Sequence, residues 1–387
     1  MGAMRSVLLA LVPLSLSIGF LACRGPATDE EAAAPKEEQI IGGVDARSAS
    51  LDAIGALAVR QAADAGTDTD GGEGSTYEPF CTGTLIAPKV VLTAKHCVYQ
   101  TTAGDPDAGT TTRDEFYHEL ADVVFAIGYD ARAPKKVAKV ESVETCNMEI
   151  GGFAGLGCDV AIVRLKDAVD DVTPLDVLRT SVDESAVGQR RSAIGYGIQD
   201  SAMNNGTRKA GSVTVRATRG PGLQAVFPTF DEFLDAYRVH EGRTLTEQLQ
   251  NDLNMLWQTP LIDGYELWAG AGEGDVQVCD GDSGGPLLAR IDGKNVVVAV
   301  ASTAVKGIRL PCNLGGSYAT FGPKAQEIIS RAVTDPCNGI TEDGTCEGTV
   351  AVRCTKLSEG NRRLTRTDCA DLGQQCSTAS GTVECTD

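Results

Sequence analysis

The sequence predicts an all-β protein, and two observations lead to that prediction. Short apolar runs rich in β-branched residues recur along the chain and are broken by Gly, Asp and Pro. The chain holds 44 Gly but only 5% aromatic residues, which is more typical of loop-rich β structure than of helical bundles. Its 13 Cys in 387 residues are many for a reducing cytosol and indicate an oxidising compartment. A chain of this length has room for more than one domain.

The charge balance narrows the class of partner. Apolar residues make up 42% and charged residues 22%, which is ordinary for a globular protein. The chain has 34 Lys plus Arg against 53 Asp plus Glu, so its formal net charge is −19. Phosphate binding needs a basic face, and this balance therefore argues against DNA or RNA as a partner. It also argues against adsorption to an anionic membrane surface through charge.

The N-terminus has the pattern of an export signal. Arg5 precedes an apolar stretch over 7–22 that is short for a membrane span but suits a secretory signal. The stretch ends in Phe-Leu-Ala-Cys at Cys23, which resembles a bacterial lipobox, although Phe20 is an unusual first residue. We therefore expect a lipoprotein-type signal peptide over 1–22, lipidation of Cys23, and a location in the outer membrane, periplasm or medium of a bacterium. The alternative is an ordinary signal with Cys23 incidental.

The next segments differ in composition. Residues 23–39 are rich in Ala, Glu, Asp and Pro, cannot bury a core, and are predicted to form a flexible tether or pro-segment. From Ile40 onward the strand-like runs begin: 54–59, 90–92, 123–127, 160–163, 213–215 and 296–300. Asp68 and Asp70 lie in a low-complexity loop over 64–75. No suitably placed Glu closes a calcium-binding loop there, so a solvated loop is the favoured interpretation.

Two helices are predicted within this β-rich region. Thr229 with Glu232, and Thr244 with Glu247, fit the capping-box signature of a helix start. Apolar residues at helical spacing follow each signature: Phe230, Phe233, Leu234 and Tyr237, then Leu245, Leu249, Leu253 and Leu256. The insertion either serves packing alone or shapes access of a substrate.

Four patches carry residue types that suit nucleophilic catalysis. In chain order they are Ile40-Ile41-Gly42-Gly43, Val91-Leu92-Thr93-Ala94-Lys95-His96-Cys97, Asp159-Val160-Ala161-Ile162-Val163-Arg164-Leu165 and Cys279-Asp280-Gly281-Asp282-Ser283-Gly284-Gly285-Pro286. Glycines around Ser283 favour a tight turn that exposes the hydroxyl and leaves backbone N–H groups free, as a nucleophile beside an oxyanion hole requires. A general base has few candidates, because the chain has only three histidines, His96, His118 and His240.

These patches resemble the chymotrypsin/trypsin family of serine proteases, in the family's own order of N-terminal segment, His, Asp and Ser. The run around Ser283 and the Thr-Ala-x-His-Cys motif are specific signals, and Gly195-Tyr196-Gly197 is similar to a motif midway through such proteases. The resemblance covers residues 40–333 and ends in a helix over 323–333. It implies two six-stranded antiparallel β-barrels with the active site in the cleft between them. A helical insertion and a small disulfide-rich C-terminal domain over 334–387 would complete the fold.

The resemblance also implies a role for each matching residue. Ser283 would be the nucleophile, His96 the general base, and Asp159 the residue that orients the imidazole. The N–H groups of Gly281 and Ser283 would form the oxyanion hole. Lys95 is a departure, because the family usually has Ala there.

The same resemblance implies an activation step. Asp282 would pair with the α-amino group that cleavage frees on Ile40, and this ion pair would order the oxyanion hole. Gln39 precedes the cleavage point, so a trypsin-like activator is not expected, and self-processing is conceivable. If Cys23 carries a lipid, the same cut would release the enzyme from the membrane.

Specificity follows from the residue six positions before the nucleophile, where an Asp selects Arg or Lys in the family. This chain has the neutral Gln277 there, followed by Val278. The opposite walls of the pocket are expected from Ser302-Thr303-Ala304 and Gly315-Gly316-Ser317. A cation buried there without a carboxylate would be costly, so we expect a neutral residue on the acyl side of the cut.

The cysteines divide into two groups. Within the protease region the resemblance implies a Cys81–Cys97 bridge and a Cys279–Cys312 bridge, and the remaining Cys146 and Cys158 are expected to pair. The C-terminal group has six members: Cys337, Cys346, Cys354, Cys369, Cys376 and Cys385. They predict a module held by three bridges, with fifteen possible connectivities. Zinc is the rival, but this region has no His and no Cys-x-x-Cys pair.

The sequence thus predicts an exported serine endopeptidase that acts on protein or peptide substrates as a monomer. No cofactor and no metal are expected, and contact with a membrane is expected only through Cys23. The alternative is a non-catalytic surface protein that uses the protease-like fold and the Cys-rich module for binding. An active-site phosphonate probe distinguishes the two.

Overall fold

Six-stranded β-barrels dominate the structure, which is a computed structural model. It describes residues 41, 43–61, 75–103, 112–116, 118–146, 148, 151–153, 157–200, 202–238, 245–305, 312–334, 337, 340–356 and 362–386. The predicted signal, Cys23, the 23–39 segment and Ile40 lie outside these residues. So do Asp68, Asp70, His240 and Thr244.

The strands, in chain order, are β1 (Val44–Asp45), β2 (Ile54–Gln61), β3 (Thr76–Ala87), β4 (Val90–Thr93), β5 (Tyr99–Ala103), β6 (Thr112–Phe116), β7 (Val123–Ile127), β8 (Lys136–Thr145), β9 (Ala161–Leu165), β10 (Asp176–Val177), β11 (Arg190–Gly195), β12 (Lys209–Ala217), β13 (Gly220–Pro221), β14 (Pro260–Leu261), β15 (Glu266–Ala269), β16 (Pro286–Ile291), β17 (Lys294–Ala304), β18 (Gly316–Thr320), β19 (Thr345–Glu347), β20 (Val350–Lys356), β21 (Arg362–Asp368), β22 (Gln375–Ser377) and β23 (Glu384–Thr386). The α-helices are α1 (Phe230–Arg238), α2 (Glu247–Gln258) and α3 (Pro323–Thr334).

The first barrel closes in the order β2-β3-β4-β9-β8-β7, with β7 pairing back onto β2. Four of its strands, β2, β4, β7 and β9, overlap predicted apolar runs, whose branched side chains suit a pleated, buried surface, whereas β3 and β8 were not predicted. Alternate residues point inward, so Leu57, Phe125 and Val163 pack together in its centre without exposure to solvent.

The second barrel closes in the order β12-β11-β16-β17-β18-β15, because β15 also pairs with β12. The short strand β1 joins β12 on its outer side, and β10 runs parallel to β17. Leu267, Leu287 and Ala299 lie in its buried core. The two six-stranded antiparallel barrels confirm the predicted fold class.

The helical insertion has the predicted capping box at its first helix. Thr229 N donates to Glu232 Oε2 (2.9 Å), and Glu232 N donates to Thr229 Oγ1 (3.3 Å). The second predicted cap, Thr244 with Glu247, is wrong. Thr246 caps α2 instead, because its hydroxyl accepts from Leu249 N (3.2 Å) and Glu247 is already the first helical residue.

Both helices of the insertion pack into one apolar cluster with the second barrel. Phe233 and Leu253 are buried in it against Trp268 of β15, which has no exposed surface. The predicted C-terminal helix is α3, and its Ile328 and Ile329 are buried. Among the described residues, no helix combines the length and the apolar character that crossing a membrane requires.

The C-terminal region forms the three-stranded sheet β19-β20-β21 and the pair β22-β23. Three bridges hold it, one of the fifteen connectivities: Cys337–Cys354, Cys346–Cys376 and Cys369–Cys385. Val352 is buried beside the first bridge, which forms a small core of its own. Sulfur links thus supplement an apolar core too small to stabilise the module alone.

Candidate active site

His96 lies in a single turn of 3₁₀ helix, Lys95–Cys97, directly after β4. The Cys81–Cys97 bridge joins this turn to β3, and the Thr93 hydroxyl donates to Thr82 O (2.8 Å). The imidazole is therefore carried on a braced corner of the first barrel. Its side chain keeps 29% of its surface exposed, so a substrate can reach it.

Asp159 immediately precedes Val160 and strand β9, and it is 2% exposed. Its Oδ1 accepts from His96 N (2.9 Å), and its Oδ2 lies 2.8 Å from His96 Nδ1. The Ser302 hydroxyl of β17 donates to the same Oδ2 (2.6 Å). The carboxylate thus holds the imidazole in one orientation while a residue of the second barrel holds the carboxylate.

The electrostatics of this pair favour the charged forms of both residues. Burial opposes ionisation of Asp159, but the His96 charge and the hydrogen bonds from His96 and Ser302 outweigh it and lower its pKa. Burial likewise opposes protonation of His96, yet the charge and hydrogen bond of Asp159 raise its pKa. An ionised carboxylate only accepts hydrogen bonds, so Nδ1 carries the proton and Nε2 is left as the basic nitrogen.

Ser283 lies in the turn before β16, and this turn packs against the corner that carries His96. Thr82 N donates to Ser283 O (2.8 Å), and the Cys97 sulfur lies 3.5 Å from the same oxygen. A Cβ at Gly284 would lie 2.0 Å from Thr93 Oγ1, so only glycine permits this approach. The turn that carries the predicted nucleophile therefore lies against the turn that carries the predicted base.

The backbone around Ser283 leaves two amides available. Neighbouring N–H groups are used: Asp282 N donates to Cys279 O, Gly284 N to Ala301 O and Gly285 N to Asp282 O. Across the described ranges, the amides of Gly281 and Ser283 have no protein acceptor. Gly281 adopts φ +93°, and a Cβ there would lie 2.8 Å from the Gly197 Cα. Two free amides beside a hydroxyl match the donor arrangement of an oxyanion hole.

Comparison with known proteins points to the same kind of site as the geometry of Asp159, His96 and Ser283. Residues 40–220 match the family model Trypsin. The match includes His96 and Asp159 and stops before the helical insertion and Ser283. The chain is 23% identical to alpha- and beta-fibrinogenase OhS1 of Ophiophagus hannah over 221 residues, which is 56% of this chain and 65% of that protein. It is also 23% identical to snake venom serine protease NaSP of Naja atra over 212 residues, 54% of this chain and 57% of that protein.

The chain thus spans less than two thirds of the length of these curated relatives. Over residues 40–220 the chain is therefore similar to the trypsin family and to these snake venom serine proteases, and the six disulfides of the described residues suit an extracellular protein.

Asp282, the residue before Ser283, is buried with 1% exposure and accepts from Gly197 N (2.8 Å) and Cys279 N (2.9 Å). Burial raises its pKa to about 7, against the effect of the two amides. Within the described ranges it has no cationic partner. Ile40 lies outside the described residues. The next residue, Ile41, is described, and its carbonyl oxygen accepts from Gln277 N (3.0 Å).

The residues predicted for the primary pocket occupy adjoining strands and loops. Gln277 is half-buried, and its Nε2 donates to Asp275 O (3.4 Å), while Val278 is buried. Ala304 pairs with Gly316 across β17 and β18. Ser302, also predicted for the pocket wall, donates its hydroxyl to Asp159 Oδ2. The Cys279–Cys312 bridge is present beside these residues, and Cys146–Cys158 closes the loop before Asp159.

Other candidate ligands have structural explanations. His118 packs its ring against Phe80, with ring centroids 4.6 Å apart. Among the described residues, the one cluster with metal-ligand spacing is Cys81, His96 and Cys97. Both of its sulfurs belong to a disulfide, so they offer no thiolate to a metal. Sequence reasoning missed Glu266, a carboxylate that is 4% exposed beside the loop leading to Asp159.

Proposed function

We propose that the protein is a serine endopeptidase that hydrolyses peptide bonds through an acyl-enzyme formed on Ser283. The observation that carries the proposal is the pair of hydrogen bonds by which Asp159 holds His96. Beside this pair lies the turn with the Gly281 and Ser283 amides, which have no protein acceptor among the described residues. The trypsin family match over 40–220 supports the same reading.

In the acylation step, His96 Nε2 accepts the proton of the Ser283 hydroxyl while Ser283 Oγ attacks the scissile carbonyl carbon. The N–H groups of Gly281 and Ser283 donate to the oxyanion of the tetrahedral intermediate. Asp159 stabilises the imidazolium that forms, and its lowered pKa supports this role because it remains a carboxylate. The carbon–nitrogen bond then breaks, and the His96 proton passes to the leaving amine.

In the deacylation step, His96 removes a proton from water, and the hydroxide attacks the acyl carbonyl. The same two amides stabilise the second oxyanion. The bond to Ser283 breaks, and the proton on His96 returns to the serine oxygen, which restores the resting enzyme.

The protein is made as a precursor that is activated at the Gln39–Ile40 bond. The buried Asp282 supports this step, because an unpaired carboxylate there is costly and a new ammonium at Ile40 would offset its desolvation. The hydrogen bond from Gln277 N to Ile41 O also supports this step, because Ile41 follows Ile40 and Gln277 lies five residues before Asp282 in the chain. The resulting ion pair would hold the turn that carries the Gly281 and Ser283 amides.

Export, anchoring and specificity complete the proposal. The signal over 1–22 directs the protein out of a bacterial cytoplasm, and a lipid on Cys23 holds the precursor at the membrane until the cut releases it. Gln277 selects a neutral residue on the acyl side of the cleaved bond. Six disulfides support a location in an oxidising compartment.

The test is labelling with an active-site phosphonate probe. A protein with an enteropeptidase recognition sequence in place of residues 35–39 yields, on cleavage, a defined N-terminus at Ile40. We expect this processed form to be labelled, Ser283→Ala to lose the label, and Ser380→Ala, which removes an exposed serine of the C-terminal module, to keep it. Absence of labelling in the processed, folded protein would contradict the enzyme and favour a binding protein.

A further inference from the structure

Glu266 is a buried carboxylate at the start of β15, where the second barrel faces the loop that leads to Asp159. Its Oε2 accepts from Ile262 N (2.8 Å) in the preceding turn. Both of its oxygens also lie 3.2 Å from Phe153 N, which donates from the loop between β8 and β9 of the first barrel. One side chain therefore joins backbone amides of both barrels.

The loop segment 151–153 is shaped to receive this carboxylate. Gly152 adopts φ +79°, and a Cβ at this position would lie 2.3 Å from Glu266 Oε2. Any side chain there would displace the carboxylate, so glycine is required by both backbone conformation and space. Phe153 is buried and packs edge-on against Trp268, two residues after Glu266, with ring centroids 4.6 Å apart. A polar and an apolar contact thus fasten the same segment.

The fastened segment is linked to Asp159 by short steps. Gly157 N donates to Gly151 O (2.8 Å), which ties the two described ends of the loop together. Cys158, adjacent to Asp159, is bridged to Cys146, and Cys146 N donates to Val160 O (2.9 Å). A shift of segment 151–153 would therefore be transmitted to the residue that orients His96.

Burial of the Glu266 carboxylate costs desolvation free energy, and its contacts with the backbone amides of Ile262 and Phe153 offset part of this cost. Burial raises the pKa of Glu266, as does the charge of Asp159, while the amides of Ile262 and Phe153 lower it. Glu266 is the acceptor for both backbone amides, and the Phe153 contact is buried while the Ile262 contact is partly buried. An apolar residue at 266 would leave those N–H groups unsatisfied.

We propose that Glu266 is a positioning residue that fastens segment 151–153 to the second barrel and thereby holds Asp159, and through it His96, in catalytic register. The proposal rests on the proposed function, since it assigns Glu266 a part in the same reaction. Glu266 touches no reacting atom and acts through the loop.

The activity test compares Glu266→Ala with Glu266→Gln in the processed enzyme. A misplacement of about 1 Å costs on the order of 100-fold in rate, so we expect Glu266→Ala to lower kcat about 10- to 100-fold with little change in KM. Glu266→Gln keeps one oxygen within reach of both amides and should restore kcat to within about threefold of wild type. Ile329→Val, a core change in α3, is the control: it lowers stability modestly and should leave kcat unchanged. Equal kcat in Glu266→Ala and wild type would overturn the proposal.

A second measurement does not depend on activity. In the Ser283→Ala background, hydrogen exchange at the Phe153 amide should be slow with Glu266, at least tenfold faster in Glu266→Ala, and intermediate in Glu266→Gln. Equal protection of the Phe153 amide in the Glu266, Glu266→Ala and Glu266→Gln proteins would overturn the proposed role of Glu266, even if catalysis is established. If the processed wild type is not labelled by the phosphonate probe while Phe153 exchange responds as expected, the proposed function fails. The contact by which Glu266 fastens segment 151–153 is then still supported.

Discussion

Ser302 donates its hydroxyl to Asp159 Oδ2 at 2.6 Å, the same oxygen that lies 2.8 Å from His96 Nδ1. The two residues come from different barrels, since Ser302 belongs to β17 and Asp159 precedes β9. A buried carboxylate that accepts from both sides has little freedom to rotate. This bond is therefore a contact across the barrel interface that orients the imidazole.

The first prediction concerns this bond. Ser302→Ala removes a hydrogen bond to a charged group, which is worth about 1.5–3 kcal/mol, so kcat/KM should fall roughly 10- to 100-fold. Ser192→Ala, which removes an exposed serine of β11, should change neither activity nor stability measurably. Steady-state kinetics on a neutral peptide substrate measures both variants. Unchanged kinetics in Ser302→Ala would show that the bond does not position Asp159.

The second prediction concerns pH. Although burial opposes its protonation, Asp159 raises the pKa of His96, and catalysis requires the neutral imidazole, so kcat/KM should rise with pH through a midpoint above 6.5. Asp159→Asn should remove this effect and move the midpoint downward. It should also lower kcat by about 10⁴-fold, because an amide no longer holds the required tautomer. A midpoint that stays at the same pH in Asp159→Asn would contradict the assigned pair.

Sequence reasoning reached those parts of the structure that local patterns encode. The apolar strand runs, the capping box at Thr229 and the helix over 323–333 each follow from neighbouring residues, and the family motifs supplied the order of His96, Asp159 and Ser283. The bond between Ser302 and Asp159 joins residues 143 positions apart, and Glu266 meets Phe153 across 113 positions. Such contacts depend on how two barrels pack, which no local pattern specifies.

The N-cap of α2 and the pairing of the C-terminal cysteines could not be predicted from the sequence, each for a specific reason. Thr244 and Thr246 both precede Glu247, and the local pattern does not decide which hydroxyl reaches the free amides of α2. The connectivity of the C-terminal cysteines depends on how β20 pairs with β19 and β21, and that register is set by the folded sheet rather than by the spacing of the cysteines.

The third prediction concerns specificity. Gln277 is half-buried and neutral, so a peptide library should show cleavage after neutral residues, and Gln277→Asp should raise the relative rate after Arg or Lys by about 10-fold or more. A carboxylate at that position would pair with a cationic side chain that is otherwise desolvated without a partner. Gln189→Asp, on the surface before β11, is the matched control and should leave the profile unchanged. A wild-type profile dominated by Arg or Lys would contradict the prediction.

The last prediction concerns Asp282 and the stability of the precursor. Burial raises its folded pKa to about 7 from 3.8, so its contribution to stability is fully present below pH 3.8 and is lost as the pH rises through about 7. Between pH 6 and pH 8 the precursor should therefore lose about 1 kcal/mol of unfolding free energy from this group. Urea unfolding of the Ser283→Ala precursor at the two pH values measures the loss.

Asp282→Asn should remove that part of the pH dependence in the precursor, which separates it from the contribution of His96. In the form processed at Ile40, the new ammonium would lower the pKa of Asp282, so this pH-dependent loss of stability should also vanish there while the α-amino group stays protonated.

Gln39→Pro should block processing in the otherwise wild-type protein, keep it anchored and inactive, and preserve the precursor's pH dependence. N-terminal sequencing of the soluble active form should read Ile-Ile-Gly-Gly, because the ion pair needs the α-amino group of Ile40. An active enzyme whose N-terminus lies upstream of Gln39 would rule out this mechanism.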